Sequence, residues 1–325
     1  MIYDEKYMCR CLELAQKGMG NVAPNPMVGA VIVHNGHIIG EGYHRKYGEA
    51  HAEVNAIRAV KNQELLKKST LYVNLEPCSH YGKTPPCAKL IIEKQIPRVV
   101  IGNIDPFPQV AGGGIKMLQE SGVEVTTGVL EEKCTELNRR FFTFHREKRP
   151  YIILKWAQTS DGFIDKLRDP SEKPAKISTE KTMLQVHKLR AQESAIMVGT
   201  NTALLDNPKL KIRHWYGNNP VRIAIDRNLK IPAHYHLLDG EVPTLIFTEK
   251  NALSTSNIQY IRIDFSQNII PQILDELYKR KLLSLIVEGG RQLLQSFIDS
   301  GLYDEMQVEV SPVCFGEGVR APEKT

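Results

Sequence analysis

His51-Ala52-Glu53, followed by Glu76-Pro77-Cys78 and then by Cys87, is the set of residues in this chain best equipped for chemistry. A neutral imidazole and two thiolates are good zinc ligands, and three protein ligands leave the fourth tetrahedral position open to water. Zinc makes such a water a nucleophile near neutral pH, able to attack an amidine carbon. Glu53, two residues past the histidine at a predicted helix start, is not counted as a ligand. It is placed to take a proton from water and to pass one to the departing amine. The general pattern for zinc deaminases is H-x-E followed by P-C-x-x-C. Here the second cysteine follows eight intervening residues, Ser79 to Pro86, and the Gly and Pro among them allow the loop to turn back. H-x-E or Pro-Cys alone arises by chance in many chains. The three pieces in one α/β unit point to a metal site.

The elements that must position these residues alternate between helix and strand. Apolar spacing over residues 4–17 predicts a helix, and Val28–Val33 with His37–Gly40 across a His34-Asn35-Gly36 turn predicts a hairpin. A helix over Ala50–Val60, a strand at Thr70–Leu75 and a helix near Ala88–Lys94 follow. Then come a strand at Val99–Ile101, a helix near Ile115–Glu120, a strand at Val123–Thr126 and one helix over Leu130–Phe144. His145–Pro150 reads as a linker. The alternation then restarts. Strands are predicted at Tyr151–Trp156, Ser194–Val198, Val221–Ile225, Thr244–Phe247, Leu283–Val287 and near Glu305–Val310. Helices are predicted near Glu180–Ala191, Pro271–Lys281 and Arg291–Asp299. Two α/β domains result, 1–146 and 147–325, the first built on a mostly parallel sheet covered on both faces.

Composition narrows the function classes. No apolar run approaches the roughly 20 residues a membrane span needs, and the acidic, amphipathic start is not a signal peptide. A net charge of +5 suits anionic small substrates and is too weak to argue for nucleic acid. The rival reading, a nucleic-acid base deaminase with a C-terminal binding domain, needs a basic track bearing aromatics. Only 7% of residues are aromatic, and the basic ones form no stripe. A purely structural zinc would want a fourth ligand, and no candidate accompanies the three. Six scattered cysteines fit a reducing cytoplasm, with Cys9, Cys11, Cys134 and Cys314 read as packing residues.

Taken with its whole loop, Glu76 to Cys87, the motif resembles the signature of the bifunctional deaminase–reductases of riboflavin biosynthesis. The long loop separates that family from cytidine and tRNA deaminases. Pro24-Asn25-Pro26-Met27-Val28-Gly29, Gly42-Tyr43-His44 and Asp105-Pro106-Phe107-Pro108-Gln109-Val110 also resemble it. So, in the second half, do Lys155 to Gly162, Lys188-Leu189-Arg190-Ala191, Thr202 through Asn207-Pro208 with Leu210 and Arg213, and Glu288-Gly289-Gly290. The resemblance covers nearly the whole chain. It implies a cytidine-deaminase-like three-layer α/β/α domain and a dihydrofolate-reductase-like α/β domain. The implied activities are those of a zinc-dependent hydrolase and an NADPH-dependent oxidoreductase. The first deaminates 2,5-diamino-6-ribosylamino-4(3H)-pyrimidinone 5′-phosphate; the second turns the ribosyl into a ribityl side chain. One zinc per chain, NADPH, a cytoplasmic location and a homo-oligomer, taken as a dimer, complete the expectation.

Residue by residue, the resemblance implies zinc on His51, Cys78 and Cys87, with Glu53 moving protons. Asn25 and His44 would line the pyrimidine pocket, with His80 and Lys83 approaching from the long loop. Ala157, Thr202, Asp206 and Gly290 would contact NADPH, while Arg190, Leu210, Arg213 and Glu288 would hold the reductase substrate. Two arginines suit bidentate clamping of a phosphate, although either alone reads equally well as a surface ion pair. Gly112-Gly113-Gly114 can open a helix and offer N–H groups to an anion, or serve as plain turn glycines. No G-x-G-x-x-G follows the strand at Tyr151, so a Rossmann site is not expected. Where the family has Gly-x-Ser-x-Trp, this chain has Glu172-Lys173-Pro174-Ala175-Lys176. Family members also commonly continue past the position of Thr325.

Overall fold

The computed structural model of the chain describes residues 2–80, 85–107, 111–169 and 172–323, with side chains from Asp4 onward. Its contacts divide the chain into two units, Met1–Glu147 and Lys148–Thr325.

The first unit runs α1 (Ile2–Gln16), β1 (Gly29–His34), β2 (His37–Tyr43), α2 (Ala52–Ala59), β3 (Thr70–Val73), α3 (Cys87–Glu93) and β4 (Arg98–Ile101). It continues with α4 (Gly113–Glu120), β5 (Glu124–Thr126), α5 (Glu131–Leu137) and α6 (Arg139–Glu147). The sheet order is β2-β1-β3-β4-β5. Asn35 and Gly36 have φ of 48° and 78°, the left-handed pair a two-residue hairpin turn requires. That hairpin departs from the expected mostly parallel sheet. β1 is antiparallel to both β2 and β3, and only β3, β4 and β5 run parallel. The crossover through α2 carries the chain from β2 over β1, so β1 ends between two strands of opposite direction.

Alternate residues of each strand feed two cores. Ala30, Ile32, Leu71, Val73, Val99 and Ile101 pack with the buried residues of α2, α3 and α4. Val31, Val33, Tyr72 and Val100 pack on the other face with Met8 and Cys11 of α1 and Cys134 of α5. Glycine lets α2 come close: a Cβ on Gly42 would lie 2.3 Å from the Ala56 backbone nitrogen. The helix expected over Leu130–Phe144 is two helices bent at Asn138, whose side chain bonds across to Met27. Helix α6 also extends through Glu147, so His145 is helical rather than part of a linker.

The second unit runs β6 (Tyr151–Thr159), β7 (Phe163–Asp165), α7 (Glu180–Gln192), β8 (Ala195–Val198), α8 (Thr200–Asp206), β9 (Val221–Ile225) and β10 (Thr244–Thr248). It ends with β11 (Ile258–Arg262), α9 (Ile269–Lys279), β12 (Ser284–Gly289), α10 (Arg291–Ser300), β13 (Glu305–Ser311) and β14 (Val319–Arg320). Seven strands in the order β11-β10-β9-β8-β12-β6-β13 all pair in parallel. One face packs on α9 and α10 through Leu154, Met197, Phe247 and Val287; the other buries Ile196, Ala224, Ile246 and Ile286 beside Ala203 of α8. Strand β12 returns between β6 and β8, so strand order reverses there. In open α/β sheets that is where ligands bind, beyond the carboxyl ends of the strands. Strands β7, β11 and β14 and the seven-residue α8 had no clear periodicity to announce them. All six cysteines are free, and Cys314, expected to be buried, is exposed beside the Ser160 hydroxyl at 3.0 Å.

Candidate active site

His51 caps the N-terminus of α2, Cys87 opens α3 behind Pro86, and Cys78 lies in the loop after β3. The fold gathers all three. His51 Nδ1 is 3.7 Å from Cys78 Sγ and 3.4 Å from Cys87 Sγ, and the three ligand atoms lie within 4.8 Å of one another. Zn–S bonds of about 2.3 Å and Zn–N bonds of about 2.0 Å at tetrahedral angles place N and S about 3.5 Å apart. The observed spacing therefore fits zinc. Among the described residues no other such His/Cys/Asp/Glu group occurs.

The electrostatics favour anionic sulfur at this point. Cys78 is held down to about 4 by the Cys87 thiol, then by His51 and the Cys87 N–H, which reaches its sulfur at 3.3 Å. Cys87 itself is pushed up beside that thiolate, and the hydrogen bond to Cys78 carries His51 up to about 9. A divalent cation binding here takes the thiolate as a ligand and displaces the protons that His51 and Cys87 hold. Glu53, in the first turn of α2, is 3% exposed and hydrogen-bonds Cys87; burial raises its carboxyl, against the pull of His51. It stands next to the ligands without being one.

Around this centre, Asn25 Nδ2 lies 3.1 Å from His44 Nε2, and His44 Nδ1 lies 3.2 Å from the Ala50 carbonyl. Burial lowers the His44 pKa, so the ring is neutral, with its proton on Nδ1 and Asn25 donating to Nε2. Asn25 and His44, expected together, do come together. His80 is exposed, and Lys83 lies outside the described residues, as do Pro108, Gln109 and Val110. Two of the three glycines, Gly112 and Gly114, have a different partner from an outside anion. The Glu76 carboxylate accepts from the N–H groups of Asp105 (3.2 Å), Gly112 (3.0 Å), Gly114 (2.9 Å) and Ile115 (3.2 Å). A Cβ on Gly114 would lie 1.9 Å from the Pro77 carbonyl oxygen. The glycines thus wrap the turn that presents Cys78. Nothing local in the sequence marks Glu76 for this task, because its partners lie 29 to 39 residues ahead.

In the second unit, strands β8 and β12 end side by side, each followed by a glycine and a helix. The Gly199 N–H donates to the Gly289 carbonyl at 3.3 Å, and a Cβ on Gly290 (φ 75°) would lie 3.2 Å from Thr202 Oγ1. Two helix starts and bare glycine backbone there fit a dinucleotide's phosphates. Thr202 and Gly290 meet at this junction, and half-buried Ala157 lies near the carboxyl end of neighbouring β6. Asp206 sits a turn away at the end of α8 and is ion-paired with Arg168, which also holds Asp165 at 2.7 Å. Arg190 and Glu288 bind each other, at 2.6 and 3.2 Å, with both side chains 11% exposed. Leu210 packs in the core beside Ala203, and Arg213 is exposed, its N–H donating to His187 Nδ1 at 3.2 Å. The two arginines therefore differ. Sequence reading passed over Arg168 and His187; the latter is fully buried, lowered to about 4 by burial, with Nε2 unpartnered.

The cytidine and deoxycytidylate deaminase zinc-binding region matches residues 1–103, and the RibD C-terminal domain matches residues 150–325. The riboflavin biosynthesis protein RibD of Aquifex aeolicus is 40% identical over 97% of this chain and 89% of its own length. That of Bacillus amyloliquefaciens is 41% identical over 98% and 87%. A crystal structure from Thermotoga maritima, described as a diaminohydroxyphosphoribosylaminopyrimidine deaminase/5-amino-6-(5-phosphoribosylamino)uracil reductase, superposes with a TM-score of 0.89 at 40% identity. It covers 98% of this chain and 89% of that one.

Proposed function

This chain belongs to the RibD family, the bifunctional deaminase–reductases of riboflavin biosynthesis, and from that premise we propose how its residues divide the work. The substrate is 2,5-diamino-6-ribosylamino-4(3H)-pyrimidinone 5′-phosphate, whose ring amino group leaves from the first unit as ammonia. His51, Cys78 and Cys87 hold zinc, which supplies the Lewis acidity that makes water nucleophilic near neutral pH. Glu53 accepts the proton of the attacking water and returns it to the amine, as its buried place against Cys87 supports. Asn25 and His44 orient the pyrimidine, with His80 and Lys83 toward the phosphate. Family membership brings a nicotinamide cofactor to the second unit, and NADPH is our choice. Thr202 and Gly290 at the paired glycine junctions bind it, with Ala157 and Asp206 around it. Exposed Arg213 takes the sugar phosphate, and Arg190, Glu288 and the Leu210 backbone shape the floor on which hydride reaches C1 of the opened sugar. Free cysteines fit a cytoplasmic enzyme, and a homodimer is the assembly we expect, checked by sedimentation.

One observation carries this reading: three ligand atoms within 4.8 Å of one another, with a buried carboxylate against them. Glu53→Gln keeps the ligands and removes the proton carrier. It should retain one zinc per chain while ammonia release falls by about 10²- to 10⁴-fold. Reduction of the deaminated intermediate should persist. Undiminished ammonia release would refute the role of Glu53.

A further inference from the structure

We propose that Asn138 is a positioning residue of the deaminase pocket, so that helices α5 and α6, beyond the matched zinc-binding region, form part of that site. This rests on the deaminase reading above. The Asn138 side chain is 2% exposed and meets both polar groups of the Met27 backbone. Its Oδ1 accepts the Met27 N–H at 2.8 Å, and its Nδ2 donates to the Met27 carbonyl at 2.9 Å. Asn74 donates to the same carbonyl at 3.0 Å and accepts the Gly29 N–H at 2.8 Å. Met27 is thus fixed between two buried amides.

Two residues earlier stands Asn25. Its Nδ2 is engaged by His44, which leaves its amide oxygen to accept a hydrogen bond from a pyrimidine N–H. Where that oxygen sits depends on where Met27 is held. The same two helices also hold the chain around Glu76 and Phe107. Asn103 donates to Thr135 Oγ1 at 2.6 Å while its carbonyl receives the Glu76 N–H at 2.9 Å, and the His145 ring lies 5.0 Å from that of Phe107. Removing the Asn138 amide leaves a buried N–H of Met27 unpaired. The chain around Asn25 then relaxes, while the metal ligands, on other elements, stay put.

The test uses the full-length protein with Asn138→Ala and Asn138→Ser, the second keeping a hydroxyl at the same place. Zinc content, ammonia release from the diaminopyrimidinone phosphate and reduction of the deaminated intermediate are measured in parallel. We expect one zinc per chain, unchanged reduction, and a KM for deamination raised about tenfold with kcat changed much less. An unchanged KM would overturn the proposal, as would zinc and kcat lost together or failure of both variants to fold. If the unmodified protein released no ammonia, the deaminase reading itself would fail instead.

Discussion

Both units place candidate residues near the carboxyl ends of sheet strands, but the side chains are arranged in opposite ways. In the first, His51, Cys78, Cys87 and Glu53 turn toward one point and are left to a ligand. In the second, three of the charged candidates are held in ion pairs, Arg190 with Glu288 and Asp206 with Arg168, which also holds Asp165, while Arg213 is exposed. A metal must be met by side-chain donors converging to tenths of an ångström. A nicotinamide cofactor can be held by backbone N–H groups and helix ends, so glycines matter there and the charged side chains are free to brace the fold. Two histidines show the same contrast. Half-buried His51 is raised to about 9 by Cys78, whereas fully buried His187 is lowered to about 4 by burial.

The largest effect should come from Cys78→Ser. Zinc should be lost and deamination with it, a greater loss than the about 10²- to 10⁴-fold expected for removing the proton carrier alone. Reduction should survive; its loss would break the separation of the two sites. Next, Arg190→Met leaves Glu288 charged and buried, and should destabilise the second unit by about 3–5 kcal/mol on denaturant unfolding. Zinc content should not move. If stability were unchanged, the pair would be poised for substrate and not a brace.

The pH response should follow His187. Its folded pKa of about 4 lies below its unfolded value, so between about 6.5 and 4 the unfolded chain binds more protons. Stability of the second unit is then lost as pH falls through that window, by up to about 3 kcal/mol before allowance for solvent screening. His187→Gln should flatten the slope in urea titrations at successive pH values. An equally steep slope in the variant would assign the loss elsewhere. The smallest effect on stability belongs to exposed Arg213: Arg213→Ala should change it by no more than about 0.5 kcal/mol. The KM for reduction should nevertheless rise, which would separate a binding arginine from a bracing one.

The sequence by itself marked out two α/β units, most helices and strands, and His51, Cys78 and Cys87 as candidate metal ligands. Periodicity of burial and the few residue types able to bind zinc are local properties, written along the chain. The tertiary structure alone decided what lies across it. It placed β1 antiparallel between β2 and β3, and gave the N–H groups of Gly112 and Gly114 to Glu76. It joined Asn138 to Met27 across 111 residues and closed Arg190 onto Glu288 across 98. Each of these is a hydrogen bond or a charge satisfied by a group far along the chain. Burial forces such groups to find partners, but which partner is in reach depends on the order in which strands pair.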